Sequence, residues 1–378
     1  MTIKKIVFLI DLQNGFMRYD LSPTEGGCLY VPHSEEVEAP VVRMVHDARD
    51  TIFILTQDSH PADQISFMEN HPGVMADRAA RLRARGVPED RIAAASLDVL
   101  TMPFDQALLA RAPVGRYSDL AAERRPGPMP TTTVITTPAF DQKIVVARPF
   151  TPVAFRRDDA WVGVETANQR IATILGTPFD ATAVKDGLLQ VLWRQHCVEG
   201  TLSALWGPQL MAQLPAKVKA IAVQSPKLDW FMGKDHEKGN DFIVLRKGQR
   251  SDLDSYGVAT ENDGVSSTIA PYVFGLLSGA LTRQGLDEVQ IGIGGLATDY
   301  CVKYSHDDVA EIFVAGLRRH GMRASLTFLP DISRGIAPNT TAAALDAMKA
   351  AGTAVATTEA FMRPDYKPRA LEAKPNLA

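Results

Sequence analysis

The sequence predicts a three-layer α/β/α sandwich with a mostly parallel sheet, interrupted by a large inserted α+β subdomain. Short β-branched apolar runs recur along the chain, and helical stretches separate them. Runs of four to six residues with few polar interruptions suit strands covered on both faces, which is the condition of a parallel sheet. The alternation with helices supplies the crossovers such a sheet requires. Composition agrees: 378 residues, 46% hydrophobic and 22% charged, can bury a sizeable core.

The runs are Ile6 to Ile10, Ile52 to Leu55, Ile221 to Gln224, Phe242 to Leu245, Val289 to Ile293 and Leu326 to Leu329. The first follows two lysines, as in a secretory leader, but it is short, ends at once in Asp11 and lacks a small-residue cleavage site. It reads as a first strand. No apolar stretch approaches the roughly 20 residues of a membrane span. The rhythm breaks between about Asn70 and Leu189. There Met75 to Arg85 reads as a helix stopped by Gly86 and Pro88, Pro126, Pro128 and Pro130 as an irregular connection, Thr131 to Thr137 and Lys143 to Arg148 as a hairpin, and Glu165 to Leu175 as a second helix. A stretch so structured is not one loop. The expected organisation is a discontinuous core, 1–70 and 190–365, an inserted subdomain, 71–189, and a tail, 366–378, rich in Lys and Pro and expected to be poorly ordered.

Charge and cysteine usage narrow the function classes. Forty basic and 44 acidic side chains leave a formal charge of -4, without the basic footprint of a nucleic-acid binder. Cys28, Cys197 and Cys301 are too few and too scattered for a disulfide framework or a four-thiolate zinc site. A reducing cytoplasm is the expected setting, with one cysteine as a working thiolate. The absence of a CxxC pair argues against thiol redox chemistry.

In parallel sheets ligands gather at the carboxyl ends of the strands, and five polar clusters fall there. Asp11-Leu12-Gln13-Asn14-Gly15-Phe16 puts a carboxylate at the end of the first strand. It is either a turn aspartate or a desolvated base. Asp58-Ser59-His60 places carboxylate and imidazole on one face of an extended segment, where they can share a divalent ion. His196, in Trp193-Arg194-Gln195-His196-Cys197, is either a third ligand or a satisfied core residue. Lys247, followed by Asp254-Ser255-Tyr256, brings an ammonium to another strand end. Cys301, in Gly294-Gly295-Leu296-Ala297-Thr298-Asp299-Tyr300-Cys301, opens a helix expected to run to about His320. There the N-terminal N–H groups favour a thiolate and can receive an oxyanion. A buried structural cysteine is the alternative.

Taken together, DLQNGF, TQDSHPADQISF, WRQHCVEGT, RKGQRSDLDSYG and GGLATDYCVKYSHDD, in this order, resemble the isochorismatase-like cysteine hydrolases and among them the nicotinamidases. The resemblance covers roughly residues 1–70 and 190–360. It implies a catalytic triad of Asp11, Lys247 and Cys301, an oxyanion hole of the Ala297 and Cys301 N–H groups, and a non-proline cis peptide before Ala297. It further implies metal ligands Asp58, His60 and His196, with zinc as the default ion and iron or manganese also fitting, and substrate contacts from Phe16, Trp193 and Tyr256. The activity implied is hydrolysis of nicotinamide to nicotinate and ammonia, a step of pyridine nucleotide (NAD) salvage. The implied partner is a small amide, with neither nucleic acid nor membrane involved and a homo-oligomer left open.

Three departures stand against the family pattern. Gln64 stands where many nicotinamidases carry a histidine, Arg194 replaces the proline after the tryptophan, and the insertion separates Asp58 from His196. The insertion is expected either to shield the pocket or to serve as an oligomer contact. The rival readings are an amidase of the same fold acting on another small amide, and a catalytically silent interaction protein working through the insertion. Joint retention of the triad and ligand residue types speaks against the second.

Overall fold

A computed structural model describes residues 3–64, 66–67, 193–225, 227–251, 254–262 and 267–368. Between 68 and 192 it describes residues 80, 83–84, 86 and 88–89 and six short strands. Seven strands form the central sheet: β1 (Ile3–Ile10), β2 (Thr51–Asp58), β3 (Trp230–Asp235), β4 (Asn240–Lys247), β5 (Glu288–Gly295), β6 (Arg323–Phe328) and β7 (Ala354–Val355). Their order is β7-β6-β5-β1-β2-β4-β3, and every pairing is parallel except that of β3 with β4. The sequence-predicted α/β sheet is therefore present.

Strand alternation divides the core into two layers. Ile6, Phe8 and Ile10 of β1, with Ile52, Ile54, Ile243 and Leu245, face helix α4 (Ala270–Arg283) and the helical run α5, whose segments are Thr298–Val302, Lys303–Asp308, Val309–Val314 and Ala315–Arg319. Val7, Leu9, Phe53, Leu55, Phe242 and Val244 face the other way. They pack with residues of α1 (Glu38–Asp47), α2 (Pro208–Gln213) and α3 (Ala216–Gln224). In-register neighbours such as Phe8, Ile54 and Ile243 make each layer continuous across strands. At about 25 cal/mol per Å² of apolar area removed from water, such two-sided burial is the main stabilising term.

Two elements depart from expectation. Ile221 to Gln224 is not a strand but the last turn of α3. Pro215 sits at the N-cap, and buried Val218 and Ala222, four residues apart, supply one helical face. Trp230–Asp235 is an added antiparallel edge strand, in which buried Phe231 and Gly233 alternate with more exposed residues.

The expected hairpin in the insertion corresponds to Thr133–Thr136 paired antiparallel with Lys143–Val146. Leu100–Pro103 pairs with Leu189–Leu192, and Phe155–Arg157 with Ala160–Val162. Apart from the helical residues 80, 83 and 84, the expected helix Met75 to Arg85 lies outside the described residues. So do the proline-rich connection and Glu165 to Leu175. In the tail, Tyr366 packs on Phe361 at 5.3 Å and its hydroxyl lies 3.0 Å from Thr327 Oγ1, so the chain is held at least that far. Among the described residues no helix is long and apolar enough to cross a membrane.

Candidate active site

The carboxyl ends of β1, β2, β4 and β5 converge on one cavity. Asp11 leaves β1 with φ 47°, a left-handed conformation that Asp tolerates better than most residues. Its N–H donates to Thr56 Oγ1 (2.9 Å), and the Thr56 hydroxyl donates back to Asp11 Oδ1 (2.5 Å). This reciprocal pair, from the neighbouring strand, fixes the carboxylate. Gln13 performs a similar service for Asp58. Its side chain accepts from Asp58 N–H (2.8 Å) and donates to the carbonyls of Asp58 (2.7 Å) and Ala204 (2.8 Å). Gly15 is required by close approach, because a Cβ there would lie 2.4 Å from Ser203 Oγ.

Lys247, the last residue of β4, extends its ammonium into the centre of the cluster. Nζ lies 2.9 Å from Asp11 Oδ2, 2.5 Å from Asp58 Oδ1 and 3.4 Å from Cys301 Sγ, and donates to Ser255 O at 2.9 Å. Cys301 sits on the first turn of α5 after the strand end Gly294-Gly295, with its sulfur within 4.8 Å of an Asp11 carboxylate oxygen. The peptide between Leu296 and Ala297 is cis. Sulfur, ammonium and the two carboxylates, remote in sequence, are thus in mutual reach and buried.

The electrostatics follow from this enclosure. Burial raises the Asp11 carboxyl to about 6, against the opposing pull of Lys247. Burial likewise pushes the Cys301 thiol well above its ordinary value, with Lys247 opposing. Burial works against the Lys247 ammonium, but Asp11 and Asp58 more than reverse it, so the lysine stays charged. At Asp58 burial acts upward, and Lys247 and His60 outweigh it, leaving the carboxyl well below the carboxylate range. The resting cluster is therefore a neutral thiol beside a carboxylate that can take its proton near neutrality.

Asp58, His60 and His196 each offer one donor atom within 4.8 Å of the others. Nδ1–H of His60 donates to Gly248 O (2.9 Å) and that of His196 to Arg194 O (2.6 Å), which leaves both Nε2 atoms as ligand donors. Asp58 Oδ2 lies 3.6 Å from His60 Nε2 while Oδ1 is held by Lys247. Two imidazoles and a carboxylate arranged in this way fit a divalent ion with open coordination positions. Burial at His60 is outweighed by Asp58, which holds it above its ordinary value, so an ion there displaces a proton from it. Burial, with His60 adding to it, brings His196 down to about 3, so its imidazole is neutral as a ligand must be.

The Gln64 amide is engaged by backbone. Nε2 donates to Arg250 O (2.6 Å) and Gly248 O (3.3 Å), and Oε1 accepts from Ser66 N–H (3.3 Å). The carbonyl of Arg194 orients His196, as that of a proline also could, and nothing in the structure explains the departure from proline.

Phe16, Trp193 and Tyr256 all line the cavity, together with Asp58, His60, His196, Ala297 and Cys301. Trp193 Nε1–H donates to the Tyr256 hydroxyl Oη (3.1 Å). Sequence reading missed Leu29, Val31, Asp254, Tyr300 and Ile336 as further wall residues. Tyr300 was within a quoted motif, with its ring 4.9 Å from that of Trp193, whereas Leu29, Val31 and Ile336 belong to segments without a chemical signature. Beside this wall Trp193 N–H donates to Ser66 O (2.7 Å), which brings residues 66 and 193 together.

No family model matches the chain. The chain is similar to the nicotinamidase of Acinetobacter baylyi, with 32% identity over 143 residues, 38% of this chain and 49% of the relative. The chain thus spans about half the length of the curated relative it matches. Among solved structures it is similar to the Acinetobacter baumanii nicotinamidase and pyrazinamidase (19% identity, TM-score 0.45, 94% of this chain and 97% of that one). It is also similar to the yeast nicotinamidase bound to the inhibitor nicotinaldehyde (17%, TM-score 0.44, 93% and 99%). The resemblance to nicotinamidases that the motifs carry therefore recurs in the curated relative.

Proposed function

We propose that the protein is a nicotinamidase, an amidohydrolase that converts nicotinamide to nicotinate and ammonia through a thioester on Cys301. The observation that carries this reading is the contact of Lys247 with both Asp11 and Cys301 on a cavity whose wall also bears Asp58, His60 and His196. The curated nicotinamidase relative supports the same substrate.

Asp11 takes the thiol proton of Cys301 as sulfur bonds to the amide carbon, with the Lys247 ammonium balancing the charge that passes between them. The N–H groups of Ala297 and Cys301 stabilise the oxyanion, a contribution of about 3 kcal/mol for a well-placed donor. Asp11 returns its proton to nitrogen, the C–N bond breaks, and ammonia leaves a thioester. Asp11 then removes a proton from water as water adds to the thioester carbon. The C–S bond breaks, sulfur recovers the proton, and nicotinate is released. Phe16, Trp193 and Tyr256 hold the ring and keep solvent out. Asp58, His60 and His196 would hold a divalent ion, zinc by default with iron or manganese also suited to the donors, which would supply Lewis acidity to the substrate ring.

Residues 71–189 form, in this reading, a unit inserted into the hydrolase core, and the reaction serves NAD salvage in the cytoplasm. The deciding experiment measures ammonia release from nicotinamide and from a panel of small amides, with metal analysis on the same preparation. Nicotinamide turnover with about one bound ion per chain is expected. Inactivity on nicotinamide with turnover of an acyclic amide would replace it with an amidase of other specificity.

A further inference from the structure

The pairing of β4 with β2 sets Lys247 opposite Asp58 and, one residue earlier, Arg246 opposite Gln57. Alternation sends the second pair to the other face of the sheet. There the strand ends border a crevice of about 180 Å³ separate from the catalytic cavity, lined by Gln57, Ser59, Thr201, Leu202, Val223 and Arg246 among others.

Arg246 is 4% exposed. Its guanidinium donates to Gln57 Oε1 (3.1 Å), Leu228 O (2.9 Å), Ala222 O (3.3 Å) and Ser225 O. All four acceptors are neutral. One Nη2–H is left without a partner, and no carboxylate among the described residues lies within ion-pair distance of this arginine. The guanidinium lies over the Phe231 ring (5.2 Å) and feels Glu199 and Asp229 only at longer range, so this buried cation lacks a full counter-charge in contact with it. Burial lowers Arg246 to about 10, against the opposing pull of Glu199 and Asp229. At the mouth of the crevice Leu202 and Val223 are 38% and 54% exposed, an apolar rim beside the buried cation.

We propose that this crevice binds a small carboxylate with an apolar body, its carboxylate on the Arg246 guanidinium and its body against Leu202 and Val223. Charge-assisted contact to the remaining N–H supplies orientation, and the rim supplies hydrophobic area. The site is independent of the amide-hydrolase reading, although Asp58 walls both cavities.

The test is calorimetric titration of the full chain with benzoate, using benzamide as the uncharged isostere. Saturable benzoate binding is expected, weakened about tenfold or more by Val223→Trp, which fills the mouth at an exposed position, and abolished by Arg246→Met. If Arg246→Met fails to fold because it also ties Ser225 and Leu228, Val223→Trp decides alone. Absence of saturable benzoate binding, benzamide binding equally well at the same site, or benzoate affinity unchanged in Val223→Trp overturns the proposal. The last result would place the ligand in the catalytic cavity instead.

Discussion

Lys247 Nζ lies 2.5 Å from Asp58 Oδ1 while also pairing with Asp11, so one ammonium serves both the thiol cluster and the metal-ligand cluster. The two half-sites are therefore one electrostatic unit. Removing a partner from a buried ion pair leaves the remaining charge uncompensated. Lys247→Met strands two carboxylates and is expected to destabilise the protein by roughly 3–5 kcal/mol, whereas Asp58→Asn leaves Lys247 paired with Asp11 and is milder. Urea denaturation of both metal-free variants measures the order. Equal losses would mean that Lys247 is not shared.

Asp11 makes a pH prediction. With its carboxyl raised by burial to about 6, the base is protonated below that pH, and kcat/KM for the amide is expected to fall along an acid limb with an apparent pKa near 6. The sign for stability is opposite to that of a carboxylate whose value folding lowers, because burial outweighs the Lys247 pairing here. Between the ordinary value of 3.8 and about 6 the native state binds more protons than the unfolded state, so this group's contribution to stability declines as pH rises through the window. Asp11→Asn should abolish activity and flatten that decline. A pH–rate profile and pH-dependent melting of wild type and variant measure both.

Gly248 links backbone geometry to metal retention. It adopts φ +66°, its carbonyl accepts from His60 Nδ1–H, and a Cβ on it would lie 2.4 Å from His60 Cε1. Gly248→Ala should therefore displace the imidazole and weaken zinc affinity by roughly 10–100-fold, the usual effect of disturbing a ligand's supporting shell. Competition with a chromogenic chelator reads this directly. Unchanged affinity would show that His60 does not hold the ion.

The sheet and the polar strand ends were legible in the sequence because both rest on local signals. β-branched runs announce buried strands, and Asp11, Asp58, Lys247 and Cys301 each follow one. Ile221 to Gln224 misled because a short apolar run carries no period of its own, and the deciding features, Pro215 and the spacing of Val218 and Ala222, lie upstream. β3 escaped because it is an edge strand whose Lys234 and Asp235 interrupt the apolar pattern. The Gln13 clamp on Asp58 and the walls from Leu29, Val31 and Ile336 are long-range contacts between segments whose own composition is ordinary. Only the folded chain brings them together.

The Trp193–Tyr256 hydrogen bond makes the last prediction. Trp193 Nε1–H donates to the Tyr256 hydroxyl Oη at 3.1 Å inside the cavity wall, and both rings also contact Tyr300. Tyr256→Phe keeps the ring but leaves a buried indole N–H without its acceptor, a loss of about 1–3 kcal/mol in a dry site. Because Trp193 also bonds to Ser66, the disturbance reaches this wall of the cavity rather than Asp11, Lys247 and Cys301. The expected result is a raised KM for nicotinamide with kcat changed little, since Asp11, Lys247 and Cys301 keep their contacts. Steady-state kinetics separate the two parameters. A fall in kcat at constant KM would instead place the Tyr256 hydroxyl in the chemical step.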